Sequence, residues 1–159
     1  MNAEEDKHFL KIAANLAIQN VKENKGGPFG AIVVKNGEII SSGCNCVSSS
    51  NDPTAHAEIT AIRNACEKLK SFQLTDCTIY STCEPCPMCL GAIYWARPQR
   101  LVFASTKKDA AKIGFDDDFI YQEINLPFEN RRISTSQIDI TEAQELFKLW
   151  ENKGDKVEY

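Results

Sequence analysis

Asn51-Asp52-Pro53-Thr54-Ala55-His56-Ala57-Glu58 reads as a turn running into a helix, with chemically active side chains at the joint. Pro53 pushes Asp52 away from helical geometry, which places the helix N-cap near Thr54. Beyond it, Ile59, Ile62, Cys66 and Leu69 recur at helical spacing as a buried stripe. Residues two apart point to nearly opposite sides of a helix, so His56 and Glu58 do not meet in mid-helix. They converge only on something lying off its N-terminal end. Pro85-Cys86-Pro87-Met88-Cys89 repeats the arrangement. Pro85 suits the first position of a helix, and Cys86 and Cys89, three apart, share one face of its first turn.

Around these stretches the chain alternates strands with helices. Residues 4–24 form an amphipathic helix on Phe9, Ile12, Ala13 and Leu16, with Asn2 and Glu5 in capping-box positions. Gly26-Gly27-Pro28 ends it. Strands at 29–34 and 38–42 are joined through Asn36-Gly37, a strong hairpin signal. A polar loop spans 44–51. Residues 77–82 and 101–104 read as further strands, with Arg97-Pro98 closing the helix between them. A short helix at 107–113 precedes the acidic loop Gly114-Phe115-Asp116-Asp117-Asp118-Phe119. Residues 133–140 supply a fifth strand, and 141–152 a last helix with a Thr-x-x-Gln cap. Lys153-Gly154-Asp155-Lys156 then links to a tail ending at Tyr159. The pattern is α/β: one sheet with helices on its faces.

The chain has 159 residues, 43% hydrophobic and 25% charged, which suits one domain, 1–159, able to bury its own core. Its formal net charge of -4 and lack of a dense basic run argue against nucleic acid as a partner. The polar start at 1–6 has no signal-peptide character, and no apolar run is long enough to span a membrane. Seven cysteines, an odd number with two in a metal-type motif, fit no secreted disulfide framework and point to a cytoplasmic setting.

One imidazole, two thiols and a free carboxylate are what a catalytic zinc requires. Such a site has three protein ligands and a fourth position open for water. His56, Cys86 and Cys89 are the candidate ligands. Partial positive charge at the helix starts favours the thiolates. Cys83-x2-Cys86-x2-Cys89 also permits a closed Cys3His structural zinc. Against it, Cys83 lies in the turn before the helix, and a closed site has no use for Glu58. Glu58 read alone is a solvated first-turn acid; two residues after His56 it is a candidate general acid–base. Asn45 is a candidate ring contact or a turn asparagine, and Phe29 a stacking residue or core. Residues 116–118 read alone are a solvated acidic loop. His8 reads as a surface residue, and Cys44, Cys46, Cys66 and Cys77 as small buried ones.

The H-x-E and P-C-x-x-C pair is similar to the signature of the zinc nucleobase deaminases. With Gly26-Gly27-Pro28-Phe29-Gly30-Ala31, Ile93-Tyr94-Trp95-Ala96-Arg97, Gly114-Phe115-Asp116-Asp117 and the terminal Glu158-Tyr159, the chain resembles the cytidine-deaminase superfamily. Within it, the likeness is to the short bacterial guanine deaminases. The resemblance implies a three-layer fold with a mixed five-stranded sheet between helices. It implies a homodimer and hydrolysis of guanine to xanthine and ammonia, a reaction of purine catabolism. By position, His56, Cys86 and Cys89 hold zinc and Glu58 shuttles protons. Asp117 assists release of ammonia, and Asn45 and Phe29 contact the purine. Tyr159 closes the pocket as part of a lid at 153–159, in that family from the partner subunit by exchange of C-terminal segments. The stretch at 127–153 resembles the family least, which leaves the donor subunit for Tyr159 open.

The competing readings are a tRNA-specific adenosine deaminase, a guanosine or cytosine deaminase, and a non-catalytic zinc module. The acidic balance opposes the first, and Glu58 opposes the last.

Overall fold

Helix α1 (Ala3–Lys22) starts where the capping box places it: the Asn2 side chain accepts from the backbone N–H groups of Glu4 and Glu5, and Glu5 bonds back to the Asn2 backbone. Strands β1 (Gly30–Lys35) and β2 (Glu38–Cys44) turn through Asn36 and Gly37, both at positive φ (51° and 80°). That pair of angles is the tight hairpin turn matching strand twist. The polar loop after β2 contains a single helical turn, α2 (Val47–Ser50). Then follow α3 (Ala57–Leu69), β3 (Cys77–Cys83), α4 (Pro87–Ala96), β4 (Arg100–Ser105) and α5 (Lys107–Ala111). Helix α6 (Asp118–Ile124), a 3-10 turn at Phe128–Asn130 and α7 (Thr141–Glu151) end the chain. The computed structural model describes residues 2–115 and 117–159. It divides into two compact units, Met1–Asp118 and Phe119–Tyr159.

In the first unit the strand order is β2-β1-β3-β4, antiparallel except for the parallel pair β3–β4, which α4 connects. Strand alternation sorts the core into two layers. Ala31, Val33 and Ile79 pack with Ala57, Ala61 and Ala65 of α3 and Ile93 and Ala96 of α4. Ile32, Val34 and Tyr80 face the other way, onto Phe9 and Ala13 of α1. Helix α3 lies close on β2 because both surfaces are small: a Cβ on Gly43 would sit 2.3 Å from the Ala57 carbonyl oxygen. This approach carries the start of α3 to the end of the sheet where β3 finishes.

The structure departs from the sequence expectation at four points. The sheet has four strands among the described residues, not five. Residues 133–140 form neither strand nor helix, and Ile133 and Ile138 are largely exposed. An alternating segment is a strand only when a neighbour's backbone pairs with it. The α3 N-cap is His56, not Thr54. Asp52 Oδ1 accepts from both the backbone N–H and the hydroxyl of Thr54, at 2.8 and 2.7 Å, and that local turn delays the helix. Helix α4 starts at Pro87, not Pro85. Pro87 forces the residue before it into extended geometry, so Cys86 becomes the N-cap (ψ 168°). Helix α7 has Ile140 at its N-cap with no side-chain cap bond. Gln144, expected to cap, bonds Asp139 instead.

In the second unit no residue from 119 to 159 is buried. Helix α7 exposes Leu146, Phe147, Leu149 and Trp150, with Phe147 71% and Leu149 73% accessible. No helix among the described residues is long and apolar enough to cross a membrane.

Candidate active site and metal centre

The N-cap positions of α3 and α4 bring the two motif halves together. His56, extended at ψ 158°, points its ring off the end of α3. Its Nδ1 lies 3.5 Å from both Cys86 Sγ and Cys89 Sγ. All three ligand atoms fall within 4.8 Å of one another, and no other such cluster of His, Cys, Asp or Glu occurs among the described residues. Zinc takes sulfur at about 2.3 Å and imidazole nitrogen at about 2.0 Å, so a tetrahedral centre separates N from S by about 3.5 Å. The donors therefore fit zinc in spacing as well as in kind.

Their electrostatics agree. The Cys86 thiol is held down to about 4 by a hydrogen bond from Cys89, then by His56 and the Cys89 backbone N–H. Cys89 is pushed up by its bond to Cys86 and by burial. The cluster carries one thiolate readily and a second only against a cation.

Glu58, at the second position of α3, is 6% exposed. Its Oε1 accepts from Ser81 Oγ on β3 at 3.0 Å, and its Oε2 lies 3.4 Å from Cys89 Sγ. Burial pushes its carboxyl above the usual range, outweighing the hydrogen bonds it accepts. This is a carboxyl that can hold a proton beside a metal site, not a solvated first-turn acid.

A cleft of about 510 Å³ opens over this cluster, lined among others by Phe29, Asn45, His56, Glu58, Phe115 and Asp117. Phe29 and Phe115 meet edge to face with centroids 4.8 Å apart. Asn45 is buried, and its Oδ1 accepts from the backbone N–H groups of Gly27 and Val47 at 3.2 and 3.4 Å. Those two donors fix the amide's orientation and leave its NH2 for the cleft.

Among the other residues singled out in the sequence, Cys83 is buried and also lines the cleft, but stands outside the ligand cluster. Its Sγ donates to the Thr106 carbonyl at 3.5 Å, and burial pushes its thiol up to about 11. Tyr159 ends the second unit, 67% exposed. Asp116 lies outside the described residues. His8 is exposed on α1. Two residues escaped the sequence reading. Ser81 fixes Glu58 and Phe115 walls the cleft with Phe29; only the strand register and the loop path could have shown either.

The family model for the cytidine and deoxycytidylate deaminase zinc-binding region matches residues 3–105. The chain therefore belongs to the cytidine and deoxycytidylate deaminase family, a zinc-binding one. Among its relatives, the guanine deaminase of Bacillus subtilis (strain 168) is 56% identical over 151 residues, covering 95% of this chain and 97% of that one. The X-ray structure of guanine deaminase from Bacillus subtilis superposes with a TM-score of 0.94 at 55% identity, covering 100% of this chain and 99% of that one. The tRNA-specific adenosine deaminase of Buchnera aphidicola subsp. Schizaphis graminum is 44% identical over 115 residues, 72% of this chain and 76% of its own.

Proposed function

We propose that this chain is a zinc-dependent guanine deaminase, hydrolysing guanine to xanthine and ammonia. The observation that carries it is the likeness, over nearly the whole of both chains, to the guanine deaminase of Bacillus subtilis. The adenosine deaminase relative covers less of this chain at lower identity.

His56, Cys86 and Cys89 would hold the metal, which when bound would lower the pKa of water toward about 7 and so supply a nucleophile at neutral pH. Glu58 takes the proton of the attacking water and gives it to the ring nitrogen beside C2. It then takes the proton of the new C2 hydroxyl and gives it to the amine, so that the C2 carbonyl forms as the C2–N bond breaks and ammonia leaves. Its raised pKa lets one carboxyl both accept and return a proton, and Ser81 fixes the oxygen that does not turn toward the ring. Phe29 and Phe115 bound the flat face of the purine. The Asn45 NH2 donates to an acceptor on the ring edge, such as an oxo group, which an amino-substituted edge does not offer. Asp117, at the cleft wall, assists departure of ammonia.

The whole chain, 1–159, acts as one deaminase domain, with 153–159 as a lid ending in Tyr159. We place it in a homodimer with exchanged C-terminal segments, acting on a free purine in the cytoplasm as a step of purine catabolism. A segment in which no residue from 119 to 159 is buried needs a covering surface, and a second copy offers one. Tyr94 and Trp95, 76% and 64% exposed on α4, supply an apolar face of the kind subunits share. The seven free cysteines suit a reducing compartment.

The test is ammonia release by the zinc-loaded protein on guanine, guanosine, adenine, cytosine and a tRNA hairpin. Guanine is expected to be turned over fastest. Preference for the hairpin would replace this reading with a tRNA adenosine deaminase.

A further inference from the structure

Asn20 is a polar side chain on the inner face of α1, buried to 5% exposure and part of none of the motifs. Its Nδ2 donates to the Gly27 carbonyl at 3.1 Å and to the Asn45 carbonyl at 2.9 Å. Both hydrogens of one amide nitrogen are thus spent on two backbone carbonyls from different segments. The opposite amide orientation would set an oxygen against two oxygens, so these partners fix the assignment.

Both carbonyls belong to residues that build the cleft. Gly27 and Asn45 line it, and the Gly27 N–H donates to Asn45 Oδ1. The backbone N–H of Asn45 donates to the Phe29 carbonyl at 3.0 Å. Asn45 is therefore held at its N–H, its carbonyl and its side-chain oxygen, and among the described residues only its NH2 is left to meet a ligand. The packing leaves little slack: a Cβ on Gly26 would lie 1.9 Å from the Asn45 carbonyl oxygen and 3.3 Å from Asn20 Nδ2. Asn20 is the tie between helix and cleft in this knot. Without it, the carbonyls of Gly27 and Asn45 lose their common donor and the Gly27–Asn45 clasp loses its anchor.

We infer that Asn20 is a positioning residue for substrate recognition: it sets the place and direction of the Asn45 amide from behind, without touching substrate. This rests on the reading of Asn45 as a purine contact. It accounts for a buried amide that neither the hydrophobic core nor the metal cluster requires.

The experiment compares wild-type protein with Asn20→Leu, which keeps the bulk and removes both donors, with Asn45→Ala, and with the double variant. All are zinc-loaded and assayed on guanine. Asn20→Leu is expected to speed hydrogen exchange at the Gly27 amide and to raise KM roughly tenfold or more, with kcat changed less and zinc still stoichiometric. In the Asn45→Ala background the same substitution should add less than about twofold to KM, because coupled residues are not additive. Asn20→Ser, which keeps one donor, is expected to move both readouts the same way by less, and it replaces the leucine variant if that one does not fold. Unchanged Gly27 exchange, or a KM effect as large with Asn45 removed as with it present, would overturn the inference. Faster Gly27 exchange with KM unmoved in both Asn20→Leu and Asn45→Ala would instead refute the purine-contact reading of Asn45.

Discussion

Glu58 shows how much one side chain's surroundings decide. At the start of an exposed helix the same carboxylate would be an ordinary acid favoured by the helix dipole. Here α3 lies against β3, so the carboxyl is buried, gripped by Ser81 and set 3.4 Å from a metal-cluster thiol. Glu58→Gln is expected to keep zinc and fold but to cut kcat by about 10²–10⁴-fold or more, since one residue makes several transfers. Single-turnover kinetics with metal analysis checks it; near-normal turnover would hand the proton work to another group. Cys83 is the complementary case, a thiol three residues from a ligand that takes no part in the cluster. Its hydrogen bond goes to Thr106, at the start of α5. Cys83→Ser should therefore retain one zinc per chain, and loss of stoichiometric metal would restore the closed structural site.

At the level of elements, what matters is which ends meet. The proline before Met88 and the Asp52–Thr54 turn each delay a helix by two residues, and each delay puts a candidate metal ligand at an N-cap in extended geometry. On the opposite face, α1 is tied to the sheet by Asp6. Its carboxylate accepts from Arg100 Nη1 and Nη2 at 3.3 and 3.0 Å and from Tyr80 Oη at 2.8 Å. The Arg100 bonds, then that of Tyr80, hold the Asp6 carboxyl below the usual carboxylate range. A depressed carboxylate stabilises the fold in full above its unfolded pKa of about 3.9, and the contribution fades as pH falls through the folded value. Asp6→Asn should cost about 1 kcal/mol at neutral pH, roughly 2–4 °C in Tm for a chain of this length. The gap should close below about pH 4. Thermal melts of both proteins across that window check the sign, and a gap that widened with acid would remove Asp6 from the account.

The whole molecule poses a different problem from its first unit. The sheet and its two helical layers bury a double core, whereas no residue of 119–159 is buried and α7 exposes Leu146, Phe147 and Leu149. Such a segment costs free energy unless something covers it. Deleting 157–159 tests the lid proposed for its end. A lid predicts unchanged melting with guanine turnover lower by about tenfold or more, since closing loops exclude water from the chemistry. A frayed end predicts no change in either. If the segment crosses to a second copy, mixing the truncated protein with intact-tail Glu58→Gln should restore activity in exchanged dimers. A dead mixture with exchange confirmed would mean that each tail serves its own pocket.

The metal cluster and the α/β class were legible in the chain itself. Ligand chemistry depends on residue type and short spacing, and core alternation depends on period, and both are local properties. His56, Cys86 and Cys89 were readable in this way, as were α1 with its capping box and the Asn36-Gly37 turn. The starts of α3 and α4 lie two residues beyond where capping propensity puts them, because an Asx turn and a pre-proline restriction compete with that propensity on nearly equal terms. The fifth strand was overread because alternation marks a surface able to pair, whereas pairing needs a partner that local sequence does not name. Only the tertiary structure joined Ser81 to Glu58, Phe115 to Phe29, and Asn20 to the loops of Gly27 and Asn45. Each of these contacts links different segments, most of them twenty or more residues apart, and no periodicity within a segment encodes what another segment places beside it.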